Sequence, residues 1–198
     1  MHIIIHRVNS IKKLNTIPPK FGVEVDVRTS RNQLILNHEP FQGGDLLCDY
    51  LEHFRHAFII LDIKEEGIEK KVIELCKIYG IKNYFLLGVS FPFMFLFSRE
   101  GVENMAVRYS EFEDIETCLA LRNRVVWIWA DTFTKNPLNK DAVDRLKQNG
   151  FKICFVSPER WGRPHDIKNC IHSFMEDSIR LDAVMVGWDY KDEWNELS

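Results

Sequence analysis

Apolar residues recur along the chain in short runs rich in Ile, Val and Phe, and segments with helical spacing separate the runs. The runs are nearly continuous rather than alternating, which is typical of parallel strands that are buried on both faces. They predict eight strands, near residues 2–6, 22–27, 57–63, 82–89, 104–109, 124–130, 151–156 and 182–187.

Amphipathic helices are predicted between most of these strands. The clearest helical segments read GGDLLCDYLEHFRH, EEGIEKKVIELCKIYG, NKDAVDRLKQNG and HDIKNCIHSFMEDSI, and each places its apolar side chains on one face. Eight strands alternating with helices predict an α/β fold, a compact (β/α)8 TIM barrel. We expect a single domain over residues 1–198, shorter than the roughly 250 residues typical of this fold.

Two features of the predicted barrel are unusual. Between the first two strands lies only VNSIKKLNTIPPKF, where Pro18-Pro19 stops any helix, so the first crossover helix is predicted to be missing or reduced to a turn. The segment NQLILN follows the second strand after RTSRN, and this pattern predicts a β-hairpin insertion.

Composition restricts the setting of the protein. The net charge is −3, which provides no general attraction to nucleic acid or to an anionic membrane. The five cysteines show no C-x-x-C spacing, and we interpret them as free thiols in a reducing compartment.

The most apolar stretch, FLLGVSFPFMFLF, is shorter than the ~20 residues of a membrane-spanning helix and predicts a strand leading into a helix. With no signal-peptide pattern at the N-terminus, we expect a cytoplasmic protein without a transmembrane segment.

Ionisable residues stand at the ends of the first three predicted strands and of the hairpin. In a barrel, the carboxyl ends of the strands meet at one rim, where reactive groups collect. Charged groups at the ends of buried strands are costly unless they are paired or bind a ligand. The residues are His6, Arg7, Glu24, Asp26, His38, Asp62 and Lys64.

The acids and bases of this set suit phosphoryl chemistry. Glu24 and Asp26 are two residues apart and share one face of their strand, and with Asp62 they offer three hard oxygen donors for one divalent cation, Mg²⁺ or Ca²⁺. Arg7 and Lys64 could hold a phosphate. The plainer interpretation of the acids is an ion pair at the rim.

The two histidines are candidates for proton transfer. An imidazole titrates near neutral pH, so His6 and His38 could act as general base and general acid. His38 considered alone is also consistent with an ordinary loop histidine. The order and position of the whole set favour the catalytic interpretation.

The order of these residues resembles the motifs of the glycerophosphodiester phosphodiesterases, a family of phospholipase C-like phosphodiesterase barrels. That family shows H-R-G near the N-terminus, then E-N-T, E-x-D-V, H-D after a hairpin, and E-x-K on the third strand. Weaker matches are Ser90-Phe91 after the fourth strand and Trp127 or Trp129 on the sixth. The main matching stretches, in about the first third of the chain, are His6-Arg7-Val8, Leu14-Asn15-Thr16, Glu24-Val25-Asp26-Val27, His38-Glu39 and Asp62-Ile63-Lys64.

The resemblance implies metal-dependent hydrolysis of a phosphodiester, with the residues in the roles given above. It also implies a route in which a neighbouring substrate hydroxyl attacks phosphorus and gives a cyclic intermediate, as in the related lipases. The departures are Val8 for Gly, Leu14 and Asp62 for Glu, and Glu39 for Asp. They indicate a divergent member of the family.

Two further residues are weaker candidates for lining the substrate. Trp129 lies on a strand expected to line the barrel, and Arg160 lies in the loop SPERWGRPHD after the seventh strand, a common place for phosphate binding in barrels. The plainer interpretation of that loop is a solvated segment whose Asp166 caps the last helix. The final GWDYKDEW is aromatic enough to suit a contact between two copies of the chain.

The expected function is therefore hydrolysis of a small-molecule phosphodiester, a glycerophosphodiester or a related small alcohol diester, which belongs to lipid metabolism. One alternative is a catalytically inactive barrel that binds a phosphorylated ligand or a partner protein. Another is a barrel enzyme that acts on a sugar phosphate without metal.

Overall fold

The computed structural model describes residues 1–197; the last residue of the predicted domain, Ser198, lies outside the described residues. The chain divides into two compact units. Residues Ile4–Leu96 form one, called here the site unit because it carries the predicted metal ligands and histidines. Residues Met1–Ile3 and the chain from Phe97 onwards form the second unit.

The sheet of the site unit is parallel, as its continuous apolar runs predict. Its strands are β1 (His2–Ile5), β2 (Gly22–Ser30), β4 (Ile59–Ile63) and β5 (Tyr84–Leu87), in the spatial order β5-β4-β2-β1. Their central residues are almost completely buried, which explains why the sequence shows no polar alternation there.

The predicted hairpin is present. The far end of β2 pairs antiparallel with β3 (Gln33–Leu36), from Val27 opposite Leu36 to Ser30 opposite Gln33. The two turn residues, Arg31 and Asn32, have φ of 48° and 64°, which is the backbone twist of a tight two-residue hairpin turn.

The first crossover is a single helical turn, α1 (Ile11–Leu14), as the prolines predict. Ser10 caps this turn by accepting a hydrogen bond from the Lys13 N–H at 3.2 Å. Leu14 is completely buried, so the residue that replaces the Glu of E-N-T is a packing residue.

Three longer helices follow the remaining strands of the site unit. They are α2 (Leu47–His53), α3 (Glu69–Ile78) and α4 (Phe91–Arg99), the last of which continues into the second unit. Helix α3 ends before Gly80, whose φ of +67° suits the left-handed position after a helix. The apolar stretch over residues 85–97 covers the end of β5 and most of α4, so it is a strand followed by a helix, as predicted.

The second unit also has a parallel sheet, with the order β9-β8-β7-β6. Its helices include α6, whose cap is Asn139: the Oδ1 atom accepts a hydrogen bond from the Ala142 N–H at 2.9 Å. The strands are β6 (Ala106–Tyr109), β7 (Trp127–Ala130), β8 (Lys152–Val156) and β9 (Ala183–Val186), and the helices are α5 (Ile115–Ala120), α6 (Lys140–Gln148) and α7 (Ile167–Glu176).

The expectation that Asp166 caps the last helix is wrong. Its side chain makes no capping hydrogen bond to α7. The carboxylate instead accepts a hydrogen bond from the guanidinium of Arg163, three residues earlier. The guanidinium is a charged donor, so it competes with the backbone N–H groups of the helix end for this carboxylate.

The aromatic segment at the C-terminus forms 3-10 turns over Trp188–Leu197. Trp194 is completely buried, and its indole N–H donates to the Ser157 hydroxyl at 3.0 Å. This tryptophan is therefore a core residue of the second unit, while Trp188 remains more than one third exposed.

The cysteines behave as their apolar surroundings predict. All five are free thiols, and four of them are buried: Cys76, Cys118, Cys154 and Cys170. Among residues 1–197, every helix is too short or too polar to cross a membrane.

Candidate metal centre and active site

Three predicted acids meet on one face of the sheet in the site unit. Asp26 on β2 is the direct neighbour of Asp62 on β4, and Glu24 lies two residues earlier on the same face of β2. One carboxylate oxygen from each lies within 4.8 Å of the others. All three side chains are buried, with relative exposures of 2% for Glu24, 1% for Asp26 and 9% for Asp62.

Two cations offset part of this buried negative charge. The Nζ atom of Lys64 lies 3.0 Å from Asp26 Oδ1 and 2.5 Å from Asp62 Oδ2, and Arg7 Nε lies 4.0 Å from Asp26 Oδ2. Burial alone would lower the pKa of Lys64, but Asp62 and Asp26 outweigh it, so the pKa is raised and the ammonium stays charged.

The Glu24 carboxylate is contacted by the two residues that follow β1. The Arg7 N–H donates to Glu24 Oε2 at 2.6 Å, and the imidazole Nε2 of His6 lies 3.8 Å from the same oxygen. Burial, followed by the charges of Asp26 and Asp62, raises the pKa of Glu24 to about 8. Ionising all three carboxylates at once is therefore unfavourable unless more positive charge lies beside them.

The backbone after β1 is fixed in an unusual conformation. Arg7 has a φ of +53°, in the left-handed region that a residue with a side chain rarely occupies. Its carbonyl accepts a hydrogen bond from Lys13 Nζ at 2.8 Å, and the N–H of Val8 donates to the Glu24 carbonyl at 2.8 Å. These contacts hold the strained turn along β2, and such strain is often found at functional sites.

Asn9 is a site residue that the sequence analysis missed. Its Nδ2 donates to Asp26 Oδ2 at 2.6 Å, and its Oδ1 accepts from the Asp26 N–H at 2.8 Å. The side chain thus holds both the carboxylate and the backbone of Asp26. The sequence carries no clear signal for this role, because an asparagine soon after a strand is also typical of a turn.

Gly88, after β5, is a second residue that the sequence analysis missed. Its φ is +73°, and a Cβ atom there would lie 2.5 Å from Asp62 Oδ1 and 2.6 Å from the Ile63 carbonyl oxygen. Only glycine allows the chain to pass so close to the Asp62 carboxylate. The signal in the sequence is a glycine directly after a buried strand.

His38 lies in the loop after the hairpin and is about one third exposed. Its Nδ1 lies 2.6 Å from Glu39 Oε1. The loop begins at Asn37, whose N–H donates to the Asp26 carbonyl at 3.0 Å. The contacts between side chains join His6, Arg7 and Lys64 to the acids, while His38 is paired with its own neighbour.

The two weaker candidates belong to the second unit. Trp129 is buried on β7, and its indole N–H donates to Asp131 Oδ2 at 3.1 Å. Arg160 lies in the loop after β8. Its guanidinium approaches Gly187, the residue after β9: a Cβ atom added to that glycine would lie 3.5 Å from Arg160 NH1. Both residues therefore lie on or just after the strands of their own unit.

The three acids fit a divalent cation. Two oxygens that bind one Ca²⁺ at 2.3–2.6 Å are at most about 5 Å apart, and the observed 4.8 Å limit lies within that span. An all-oxygen, carboxylate-rich set is also the type that Mg²⁺ and Ca²⁺ prefer. Burial and the neighbouring charges of Asp26 and Asp62 raise the pKa of Glu24, and a divalent cation bound here would offset that repulsion.

Comparison with solved structures defines the class of fold. A glycerophosphoryl diester phosphodiesterase from Parabacteroides distasonis matches with a TM-score of 0.68 and 11% sequence identity, over 99% of this chain and 86% of that chain. The fold is that of the phosphodiesterase TIM barrels, as the strand order in the sequence predicts.

Two further solved structures agree. A glycerophosphodiester phosphodiesterase from Agrobacterium tumefaciens matches with a TM-score of 0.66 and 15% identity, over 98% of this chain and 99% of that chain. The enzyme of the same name from Thermotoga maritima matches with a TM-score of 0.62 and 18% identity, over 99% and 97%. The predicted resemblance is thus confirmed at the level of the fold: this chain has the fold of the glycerophosphodiester phosphodiesterases.

Comparison of the sequence alone identifies no such relatives. No protein-family model matches it, and no curated protein matches it. The likeness to the solved diesterases is therefore carried by the arrangement of strands and helices.

Proposed function

We propose that this chain is a metal-dependent phosphodiester hydrolase that acts on a glycerophosphodiester or a related small alcohol phosphodiester. The observation that carries the proposal is the buried cluster of Glu24, Asp26 and Asp62, with oxygens within 4.8 Å of one another and with His6 and Lys64 in contact with it. The shared fold with three named diesterases supports it.

Glu24, Asp26 and Asp62 would hold the cation, Mg²⁺ or Ca²⁺. When bound, the cation polarises a phosphoryl oxygen of the substrate and offsets the charge that develops there. Asn9 positions Asp26, and Lys64 holds Asp62 through a hydrogen bond from its Nζ to Oδ2 at 2.5 Å. These contacts keep two of the three ligands in fixed orientations, which is what a metal site requires of its outer shell.

Arg7 and Lys64 would bind the phosphate. The Arg7 guanidinium is partly exposed beside Asp26, so it can turn a two-pronged face towards an anion. Lys64 already offsets the charge of Asp26 and Asp62, and its ammonium can donate to a phosphate oxygen from the same place.

His6 and His38 would transfer the protons. One imidazole takes the proton from a neighbouring substrate hydroxyl, whose oxygen forms a bond to phosphorus while the bond to the leaving alcohol breaks. The other imidazole gives its proton to the leaving oxygen, and water then opens the cyclic diester. Glu39 at Nδ1 favours a proton on that nitrogen of His38, so the Nε2 lone pair is available as a base.

Trp129 and Arg160 remain proposals for contacts with the substrate. The hydrogen bond from the Trp129 indole N–H to Asp131 holds the indole ring in one orientation. Part of the substrate would pack against the flat face of that ring. Arg160 would contribute positive charge for a phosphate or an alcohol group. Alanine at either position is expected to raise KM more than it lowers kcat.

The setting of the protein is also a proposal. Five free thiols support a reducing compartment such as the cytoplasm, and the substrate is proposed to be a small molecule rather than nucleic acid. The exposed part of the C-terminal turns, around Trp188, is the proposed contact of a homodimer. Sedimentation velocity of the wild-type protein and of Trp188→Ser tests that contact.

The decisive experiment is hydrolysis of a panel of glycerophosphodiesters with Mg²⁺, with Ca²⁺ or with EDTA. We expect turnover only with a cation, and a loss of about 10²–10⁴-fold in kcat for His6→Ala and for His38→Ala. His172→Ala is the matched control, because His172 is exposed on α7 in the second unit. Wild-type rates in the first two variants, or turnover that persists in EDTA, would refute the mechanism.

A further inference from the structure

Three aromatic rings lie in a row on the loops that follow β6, β7 and β8 of the second unit. The ring centroid of Phe133 is 4.7 Å from that of Trp161 and 6.1 Å from that of Phe112. The neighbouring rings are tilted rather than stacked face to face, and Phe112 and Trp161 are 73% and 46% exposed. We call these three residues the aromatic strip. Exposed apolar side chains that lie side by side on a surface indicate a binding site.

A buried carboxylate holds one end of the strip. Asp131 follows β7, and its Oδ1 accepts hydrogen bonds from the Trp161 indole N–H at 2.7 Å and from the Thr132 N–H at 3.0 Å. Its Oδ2 accepts from Arg108 NH1 at 2.8 Å and from the Trp129 indole N–H at 3.1 Å. Four donors occupy this carboxylate, so it anchors its neighbours and is not itself open to a ligand.

Further contacts join the three loops that carry the strip. The N–H and the hydroxyl of Thr134 both donate to Glu111 Oε1, which ties the loop after β7 to the loop after β6. The guanidinium of Arg163, in the loop after β8, donates to the Thr132 carbonyl. The strip is therefore ordered before any ligand arrives, which lowers the entropy cost of binding.

Arg108 places a positive charge beside the strip. Its bond to Asp131 leaves the side chain 41% exposed, and that carboxylate is shared with three other donors, so the guanidinium can still receive an anion. Arg108 and Trp161 donate to the two oxygens of one carboxylate, which places their donor nitrogens within about 8 Å of each other. One small molecule can therefore reach both side chains.

We propose that Arg108 and the aromatic strip form a binding site for a small molecule that carries a flat aromatic ring and one anionic group. The anion binds the Arg108 guanidinium, and the ring stacks on Trp161 and packs along the strip. A nucleoside monophosphate and an aromatic carboxylate share this chemistry. The inference does not rest on the proposed function, because all of its residues belong to the second unit and none is a predicted metal ligand or histidine.

The test measures binding by calorimetry in EDTA, so that no cation-dependent step contributes. The probes are adenosine monophosphate (AMP), phenylacetate, adenosine, which has only the ring, and inorganic phosphate, which has only the anion. We expect AMP to bind about tenfold or more tightly than adenosine or phosphate, because a charged hydrogen bond and a stacked ring both contribute. Tighter binding of AMP than of phenylacetate identifies the phosphate as the preferred anion, and the reverse order identifies the carboxylate.

Substitutions separate the two parts of the site. Arg108→Gln should remove the advantage of AMP over adenosine, and Arg108→Lys should restore part of it, since a lysine keeps the charge without the two-pronged geometry. Phe112→Ser leaves every bond to Asp131 in place and should weaken AMP and adenosine alike by about fivefold or more. This variant keeps the inference testable if Arg108→Gln lowers the stability. Arg122→Gln and Met175→Ser are the matched controls, because both residues are exposed elsewhere in the same unit.

Three results would overturn the inference. The first is equal affinity for AMP and adenosine, or no binding of either AMP or phenylacetate at millimolar concentration. The second is a loss in the control variants as large as the loss in Arg108→Gln and Phe112→Ser. The third comes from sedimentation velocity: if Phe112→Ser changes the oligomeric state and not the affinity for AMP, the strip is a contact between proteins.

Discussion

At the scale of single residues, the candidate site is held by contacts that are not visible as patterns in the sequence. The grouping of the three carboxylates with Lys64 could be predicted, because charged residues at the ends of buried strands stand out from their apolar surroundings. Asn9 and Gly88 could not, because their roles are one amide contact and one missing Cβ atom. Neither contact repeats along the chain, so neither produces a periodic signal.

Asn9→Ala is expected to weaken cation binding and activity by about 10- to 100-fold, because Asp26 loses the side chain that orients its carboxylate. Titration calorimetry with Ca²⁺ and the rate of diester hydrolysis measure the two effects. Asn83→Ala is the control, since Asn83 is exposed and its side-chain amide donates to the Ala57 carbonyl at 3.3 Å rather than to one of the acids. Equal losses in the two variants would mean that Asn9 has no special link to the site.

Gly88→Ala is expected to destabilise the protein by roughly 2–4 kcal/mol, because the new Cβ atom meets Asp62 and the Ile63 carbonyl in a strained backbone conformation. Gly67→Ala separates the two causes: its φ is +90°, but no atom lies within 4 Å of its Cβ position. In urea unfolding, Gly67→Ala should lower the free energy of unfolding by about 1 kcal/mol. If the two losses are equal, the close contact with Asp62 contributes nothing.

At the scale of elements, the strands were easier to predict than the connections. Continuous apolar runs located the eight parallel strands, and the turn between Arg31 and Asn32 is a β-hairpin as predicted. The short crossover followed from Pro18-Pro19, whose rings prevent helical hydrogen bonds. The role of Asp166 was predicted wrongly, because a guanidinium three residues away competes with the helix end for the carboxylate.

Leu14→Ala tests the structural role of the shortened crossover. The side chain is completely buried in α1, so its truncation should lower the free energy of unfolding by about 2–5 kcal/mol, through lost burial and a remaining cavity. Lys12→Ala in the same turn is the control and should change the stability by less than about 0.5 kcal/mol, because Lys12 is exposed. Similar denaturation midpoints for both variants would show that α1 packs loosely.

At the scale of the whole molecule, the fold persists with very few identical residues. The three solved diesterases match almost the full chain at 11–18% identity. Such a low identity is compatible with one fold because a buried strand requires apolar residues of suitable volume rather than particular side chains. The family resemblance in the sequence came instead from the charged residues at the strand ends, since chemistry depends on specific atoms.

The thiols provide a test of packing throughout the chain. Burial raises the pKa of Cys76 and Cys118 to about 12 and that of Cys170 to about 11, so these thiols should react very slowly with a disulfide reagent at pH 8. Cys48 is only partly buried and should react first. We expect one fast thiol in the folded protein and five in urea. Three or more fast thiols in the folded protein would contradict the described core.

The central claim is that Glu24, Asp26 and Asp62 share one cation, and an anomalous difference map from crystals grown with Ca²⁺ tests it most directly. We predict a single strong peak about 2.3–2.6 Å from one oxygen of each carboxylate. A map with no peak there, and with the ammonium of Lys64 still between Asp26 and Asp62, would contradict the account.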